Sequence, residues 1–104
     1  MSCDDRDQRL VELVAGLECT SLKRRAGLRG GQVVPETYPV DFLHCLPEAV
    51  QSQYRERARE IIKEARMLGP ANPEEITPEI ATKAPYDKWV LLEARVALNA
   101  LEGK

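Results

Sequence analysis

Residues 47–68 read PEAVQSQYRERAREIIKEARML, and this stretch decides the fold. At about 100° per residue, its apolar side chains share one sector of a helical wheel, about 120° wide. They are Val50, Tyr54, Ala58, Ile61, Ile62, Ala65 and Leu68. Pro47 suits the first helical position, where its missing N–H is not needed, and Gly69-Pro70 ends the helix. The stretch therefore predicts a long amphipathic helix that packs on a core.

The charges of this helix are sorted into two strips. The basic strip, beside the apolar sector, contains Arg55, Arg59, Lys63 and Arg66, and the acidic strip beyond it contains Glu56, Glu60 and Glu64. Like charges four residues apart destabilise a helix by about 0.2–0.5 kcal/mol per pair, so helix stability alone favours interleaved signs. The strips thus indicate a partner of complementary charge or a self-complementary antiparallel dimer. The alternative is a solvated face whose order is accidental.

Apolar periodicity predicts two more main helices, over residues 5–18 and residues 85–102. The second of these is apolar on several sides, because Leu91, Leu92 and Val96 widen its stripe. A helix of this kind lies at the centre of a core or is buried in an oligomer. We therefore expect residues 86–101 to form either core or a homo-oligomer surface.

The connecting segments carry weaker signals. Residues 20–26 predict a short helix that ends at Gly27. The cap, proline and acid patterns at residues 72–75 and 77–79 predict one or two helical turns between residues 73 and 83. Two X-Pro pairs in residues 32–41 predict an extended crossover. The predicted fold is all-α, a small bundle of three main helices with one or two short helices and an extended Pro-rich crossover.

Length and charge limit the function classes. The chain has 104 residues, which predicts a single domain over residues 1–104. Fifteen Lys and Arg residues face 17 acids, so the net charge of −2 gives no global attraction to nucleic acid or anionic lipid. No apolar run approaches the ~20 residues of a membrane span. The acidic start shows no export signal, so we expect a cytoplasmic protein with no membrane partner.

Lys23, Arg24, Arg25 and Arg29 form a basic turn beside Gly27, Gly30 and Gly31. Cations next to glycines, where a backbone can approach a ligand closely, are typical of phosphate recognition. The turn contains neither the P-loop motif nor GxGxxG. Charge runs of this kind are usually solvated, so a solvated turn is the first interpretation. The turn is also a candidate site for an anion, a nucleotide or nucleic acid, and a contact with an acidic protein surface is the third interpretation.

Tyr86 and Trp89 lie three residues apart on one face of the last helix. Such a pair is typical of core packing, and the alternatives are a base-stacking platform or an interface anchor. Cys3, Cys19, His44 and Cys45 match no common zinc spacing, so we expect no metal, no cofactor and reduced thiols. Cys45 lies between Leu43 and Leu46, which predicts a buried thiol. No Ser/His/Asp series or carboxylate pair predicts an enzyme.

Residues 46–62 read LPEAVQSQYRERAREII. This segment resembles small helical bacteriophage and prophage proteins, in which an L-P-E-x-V element leads into a helix of the form Y-R-x-x-A-R-x-I-I. The similarity covers under a fifth of the chain. It implies a phage-type inhibitor or accessory factor of a host system, in the cytoplasm of a bacterial cell, and transfers no functional residue.

The expected function is that of a non-enzymatic binding or regulatory protein that acts through contacts with another protein. The alternative is a nucleic-acid or nucleotide-phosphate binder that uses the basic turn and the basic strip. A small enzyme of unspecified class is the third hypothesis. The candidate binding residues are those of the basic turn and the basic strip, together with Tyr86 and Trp89.

Overall fold

A computed structural model of the chain describes residues 3–30 and 38–102. Within these ranges the chain is helical and contains no strand, which confirms the predicted all-α bundle. The helices are α1 (Cys3–Cys19), α2 (Ser21–Arg29), α3 (Tyr38–His44), α4 (Glu48–Leu68), α5 (Pro78–Lys83) and α6 (Tyr86–Glu102). A single 3₁₀ turn, Pro73–Glu75, lies between α4 and α5. The radius of gyration, 13.0 Å, is that of a closely packed chain of this length.

Helices α1, α4 and α6 pack on one another and form the main core, with α3 packed against α1. The core is aliphatic, as expected for a chain with one Phe and one Trp. Its fully buried members include Leu10, Val14, Leu43 and Ala58. The apolar sector of α4 supplies Ala58, Ile62 and Ala65 to this core, so the helix packs through the face that its periodicity predicts.

A second, smaller core joins α5 to α6 around Trp89, which is fully buried, and α2 packs on α5 beside it. The capping residues before the 3₁₀ turn and before α5 form the predicted hydrogen bonds. The hydroxyl of Thr77 accepts a hydrogen bond from the Ile80 N–H at 3.2 Å and caps the helix. One turn earlier, the Glu75 carboxylate accepts from the Asn72 N–H at 2.8 Å.

Gly69 ends α4 with a φ of 92°, which a residue with a side chain rarely adopts. Its carbonyl accepts a hydrogen bond from the Arg95 side chain at 2.8 Å. The Ala71 N–H then donates to the Arg95 carbonyl at 3.1 Å. These bonds fix the connection after α4 against α6 and set the direction of the two helices.

The predicted extended crossover is wrong for residues 38–41, which form the first part of α3. Pro39 is the second residue of α3, and proline is tolerated in the first turn of a helix because the N–H there has no intrahelical partner. The rest of that prediction, residues 32–37, lies outside the described residues. The prediction that Gly27 ends the short helix is also wrong, because α2 continues to Arg29. Cys45 is exposed and not buried.

Helices α1 and α3 approach each other at a glycine. A Cβ atom at Gly16 would lie 2.5 Å from the Pro39 carbonyl oxygen and 2.6 Å from its carbon. Only a residue without a side chain permits this backbone-to-backbone contact. The contact places α3 so that Leu43 is fully buried in the main core.

Helix α6 is central to the bundle. Trp89, Val90, Ala94, Ala97 and Leu98 are buried within the single chain. The breadth of its apolar stripe is therefore explained by the two cores that it joins. The expectation of a homo-oligomer through residues 86–101 stays a prediction, but its best anchors, Trp89 and Leu98, already have partners inside the monomer.

Candidate functional site

Arg24 of the basic turn is buried and holds three parts of the fold together. Its guanidinium forms an ion pair with Glu93 of α6 and donates to the Leu17 carbonyl near the end of α1. Its Nε donates to the Thr20 hydroxyl at 2.8 Å. A buried guanidinium needs this many acceptors, because an unpaired buried charge is strongly destabilising. Arg24 therefore serves the fold and does not face a ligand.

Arg25 is also buried. Its Nε donates to the Ala81 carbonyl at 3.1 Å, and its guanidinium also donates to the Ala84 carbonyl. Both acceptors lie at the end of α5, where helix carbonyls lack intrahelical partners and the dipole favours a cation. The guanidinium centre also lies 5.6 Å from the centre of the Trp89 ring. Arg25 thus caps α5 from a neighbouring helix.

The prediction of one accessible cationic site in the basic turn is therefore wrong for Arg24 and Arg25. Lys23 is exposed, and its ammonium lies 4.9 Å from the centre of the Phe42 ring. The side chain of Arg29 lies outside the described residues. Within the described part of the turn, one cation faces solvent.

The basic strip of α4 lies along α1. Arg55 pairs with Glu12 at 3.0 Å, and Arg66 pairs with Asp7 at 3.0 Å. Arg59 and Lys63 are exposed and form no ion pair with the described residues. They line a shallow groove of about 380 Å³ between α1 and α4, whose floor is Leu10, Val11 and Ile62. The acids of α1 thus neutralise half of the strip.

The basic turn and the basic strip pack against different helices. Helix α2 packs mainly on α5, whereas the strip lies against α1. No described ion pair or hydrogen bond links the two groups. A nucleic-acid site that uses both sets of cations has no support in this arrangement, because phosphate binding requires several accessible cations on one face.

Glu60 and Glu64 of the acidic strip line a different depression, which we call the acidic cleft. It lies between α4 and α6, at the end of α1, with a volume of about 400 Å³. Four carboxylates line it, from Glu18, Glu60, Glu64 and Asp87, together with the guanidinium of Arg57. Ile61, Tyr86, Val90 and Leu91 supply its apolar surface. Four negative charges and one positive charge give the lining a net charge of −3 when all groups are ionised.

Glu18 is the least exposed of these acids, with a side chain only 1% accessible. One of its oxygens lies 2.6 Å from Arg57, but neither oxygen receives a well-directed hydrogen bond from the described residues. Burial raises the pKa of Glu18, Arg57 opposes this shift, and the negative charge of Asp87 adds to it. The cleft therefore contains a carboxylate whose acceptor capacity is not filled.

The two aromatic candidates, Tyr86 and Trp89, differ in exposure. Trp89 is fully buried, so it cannot serve as a base-stacking platform. Tyr86 is half-buried and lines the acidic cleft. Of the ten predicted binding residues, Tyr86 is the one that the structure places in this cleft.

The sequence reasoning missed Glu18 and Glu93, although a signal existed. Glu18 follows Val14 by four residues and Val11 by seven, which places it on the buried face of α1. Glu93 follows Trp89 by four residues on the buried face of α6. An acid on an apolar face predicts either a buried ion pair or a functional group. Glu93 forms a buried ion pair with Arg24. Glu18 lies beside Arg57 but lacks a well-directed hydrogen bond from the described residues.

Cys19 is half-buried, and its thiol donates to the Gly16 carbonyl at 3.3 Å. Burial raises its pKa to about 11, so the thiol is protonated and unreactive at neutral pH. Residues 3–30 and 38–102 contain no group of three or more His, Cys, Asp or Glu side chains arranged to hold a metal ion. In the same residues, every helix is too short or too polar to cross a bilayer.

Comparison with protein-family models, with curated proteins and with solved structures finds no match to this chain. The resemblance of residues 46–62 to phage proteins and the cytoplasmic location therefore stay predictions.

Proposed function

We propose that this protein is a non-enzymatic binding protein that holds a basic segment of another protein in the acidic cleft between α4 and α6. The observation that supports the proposal most is the excess of negative charge in the cleft. Glu56, Glu60 and Glu64 form no ion pair with described residues, so the protein itself leaves the acidic strip uncompensated. The basic strip, in contrast, has two internal partners.

The shape of the cleft suits a protein segment. Its apolar surface, from Ile61, Val90 and Leu91, lies directly beside the carboxylates. A segment that alternates cationic and apolar side chains would satisfy both. Charged groups at the rim of such an interface accelerate association, and the apolar contact buries hydrophobic surface.

A second copy of the chain is a poor occupant of the α4 surface. In an antiparallel pair of identical helices, the two-fold axis brings each strip against its own copy, so like charges meet. A parallel pair would match the signs, but it needs an apolar seam between the strips. Met67, the most exposed large apolar side chain of α4, falls within the acidic strip, so α4 offers no such seam. A heterologous partner therefore fits better than self-association.

Nucleic acid is the weaker alternative. Arg24 and Arg25 are buried, and Arg55 and Arg66 have acidic partners. Lys23 lies on α2, whereas Arg59 and Lys63 lie on α4. Few accessible cations in two places would give weak binding with a shallow dependence on salt.

The test is titration of the protein into a short fluorescent peptide rich in Arg, Lys and Leu, followed by anisotropy. We expect binding that weakens as salt is added, and about tenfold weaker binding for the Glu60→Gln/Glu64→Gln variant. The matched control is Glu48→Gln/Glu74→Gln, which changes the net charge equally at exposed positions outside the cleft. Equal weakening by both variants, or no binding at low salt, would contradict the proposal.

A further inference from the structure

Among the described residues, Arg57 is the one cation that lines the acidic cleft, and it lies beside the acidic strip. Its side chain is 61% exposed, whereas the Glu18 side chain it pairs with is 1% exposed. The arginine therefore enters the cleft from the solvent side and reaches a buried carboxylate. Because most of the Arg57 side chain is already solvated, it can move away from Glu18 without a change in core packing.

The pair that Arg57 makes is incomplete. Its Nη2 lies 2.6 Å from one Glu18 oxygen, yet neither oxygen receives a well-directed hydrogen bond from the described residues. A guanidinium that approaches a carboxylate in its plane donates two parallel hydrogen bonds, one to each oxygen. The second Glu18 oxygen has no such donor. The buried carboxylate thus retains an acceptor position for an incoming donor.

We propose that Arg57 occupies the cleft as an internal substitute for an arginine of the partner, and that the partner's guanidinium displaces it and binds Glu18 through both oxygens. This inference rests on the proposed function, because it assumes that a basic segment enters the cleft. It adds the identity of the recognised side chain: arginine and not lysine.

The preference for arginine follows from the lining. A lysine ammonium is a point charge and cannot satisfy both carboxylate oxygens with parallel bonds. Tyr86 lies in the same cleft and provides an aromatic surface, on which a planar guanidinium can stack. The displaced Arg57 remains near Glu60, three residues along α4, where an exposed pair can form. The exchange therefore leaves no charge buried without a partner.

A purely structural role for Arg57 predicts a different outcome. If Arg57 serves only to neutralise Glu18, its removal lowers stability and does not raise affinity for any peptide. If Arg57 competes with the partner, its removal empties the position that the partner's arginine takes. Affinity for an arginine peptide then rises.

The test uses two peptides of the same sequence, in which the cations are all arginine or all lysine, measured by anisotropy. For the natural chain we expect the arginine peptide to bind about fivefold tighter than the lysine peptide. Arg57→Met should bind the arginine peptide about three- to tenfold tighter than the natural chain does. Glu18→Gln, which keeps the shape of the side chain, should bind the two peptides equally.

The outcomes separate the two proposals. If neither peptide binds the natural chain, the proposed function fails, and this inference fails with it. If both peptides bind equally well to the natural chain, the exchange at Glu18 is overturned while the function stands. If Arg57→Met does not fold, the Glu18→Gln variant decides: an arginine preference that persists in it overturns the inference.

Discussion

Among the described residues, four charged side chains are buried: Glu18, Arg24, Arg25 and Glu93. A small core gains little free energy from such groups, since removing an ion from water costs several kcal/mol. Arg24 and Arg25 recover this cost through several acceptors each. Glu18 has one partner in poor geometry. At the scale of single residues, Glu18 is therefore the exception that suggests a function.

Glu18 should make the stability of the protein depend on pH. Its pKa in the folded state is raised above the ordinary value of 4.5, because burial outweighs the attraction of Arg57. The unfolded chain then ionises first, so the Glu18 contribution is fully present below pH 4.5 and is lost as pH rises through the raised pKa. Urea unfolding should show the natural chain losing stability relative to Glu18→Gln over that window.

The outcome that contradicts this prediction is a difference in unfolding free energy that does not change between pH 4.5 and neutrality. Glu64→Gln is the matched control, because it removes an exposed acid of the same cleft and leaves Glu18 in place. The groups that face Glu18 are Arg57 from α4 and Asp87 from α6. Both groups are present in the natural chain and in Glu18→Gln, so the difference between the two chains reports Glu18.

At the scale of elements, the three long helices could be predicted because each carries an unbroken 3.6-residue period. The start of α5 could be predicted because Thr77 and Pro78 are cap and first-turn residues. Helix α3 was missed because it is short and its first turn contains Pro39, which also fits an extended chain. The choice between the two depends on the contact with Gly16, which no local pattern contains.

The candidate site was predictable only in part. The strips of α4 follow from residue spacing on one helix. Which acids of α1 neutralise the basic strip, and which helix faces the acidic strip, depend on how the helices pack. Glu12 and Tyr86 lie far from Arg55 and Glu60 in sequence, so periodicity cannot pair them.

The close approach of α1 and α3 gives an element-scale prediction. Gly16→Ala should lower the free energy of unfolding by about 1–3 kcal/mol, because the new Cβ meets backbone atoms of Pro39 that cannot turn aside. Gly30→Ala is the control, since its Cβ would lie 3.6 Å from the nearest atom, an ordinary contact. Urea denaturation of both variants gives the comparison. An equal effect at the two glycines would contradict the packing of α3.

At the scale of the whole molecule, the ion pair of Arg24 and Glu93 links α2 to α6. Arg24→Met should destabilise the protein by about 3–5 kcal/mol, because Glu93 is left buried without its partner. The double variant Arg24→Met/Glu93→Leu should recover most of this loss, since an apolar pair requires no desolvation of charge. Chemical denaturation of the single and double variants measures the coupling.

Lys83→Met is the control for this pair. Lys83 and Glu79 form an exposed ion pair four residues apart, so loss of this pair should change the free energy of unfolding little. A double variant as unstable as Arg24→Met alone would show that Arg24 acts mainly through the Leu17 carbonyl and Thr20, and not through Glu93.

The partners of Arg24 and Arg25 lie late in the chain, which has a consequence for synthesis on the ribosome. Arg25 binds a carbonyl 56 positions further on, and Arg24 pairs with an acid 69 positions further on. Until those residues leave the exit tunnel, Arg24 and Arg25 lack these long-range acceptors, which accompany their burial in the folded chain. In the nascent chain, α2 therefore cannot pack in its native position until α5 and α6 have been synthesised. Ribosome-stalled chains that end before residue 93 should remain open to protease at α2.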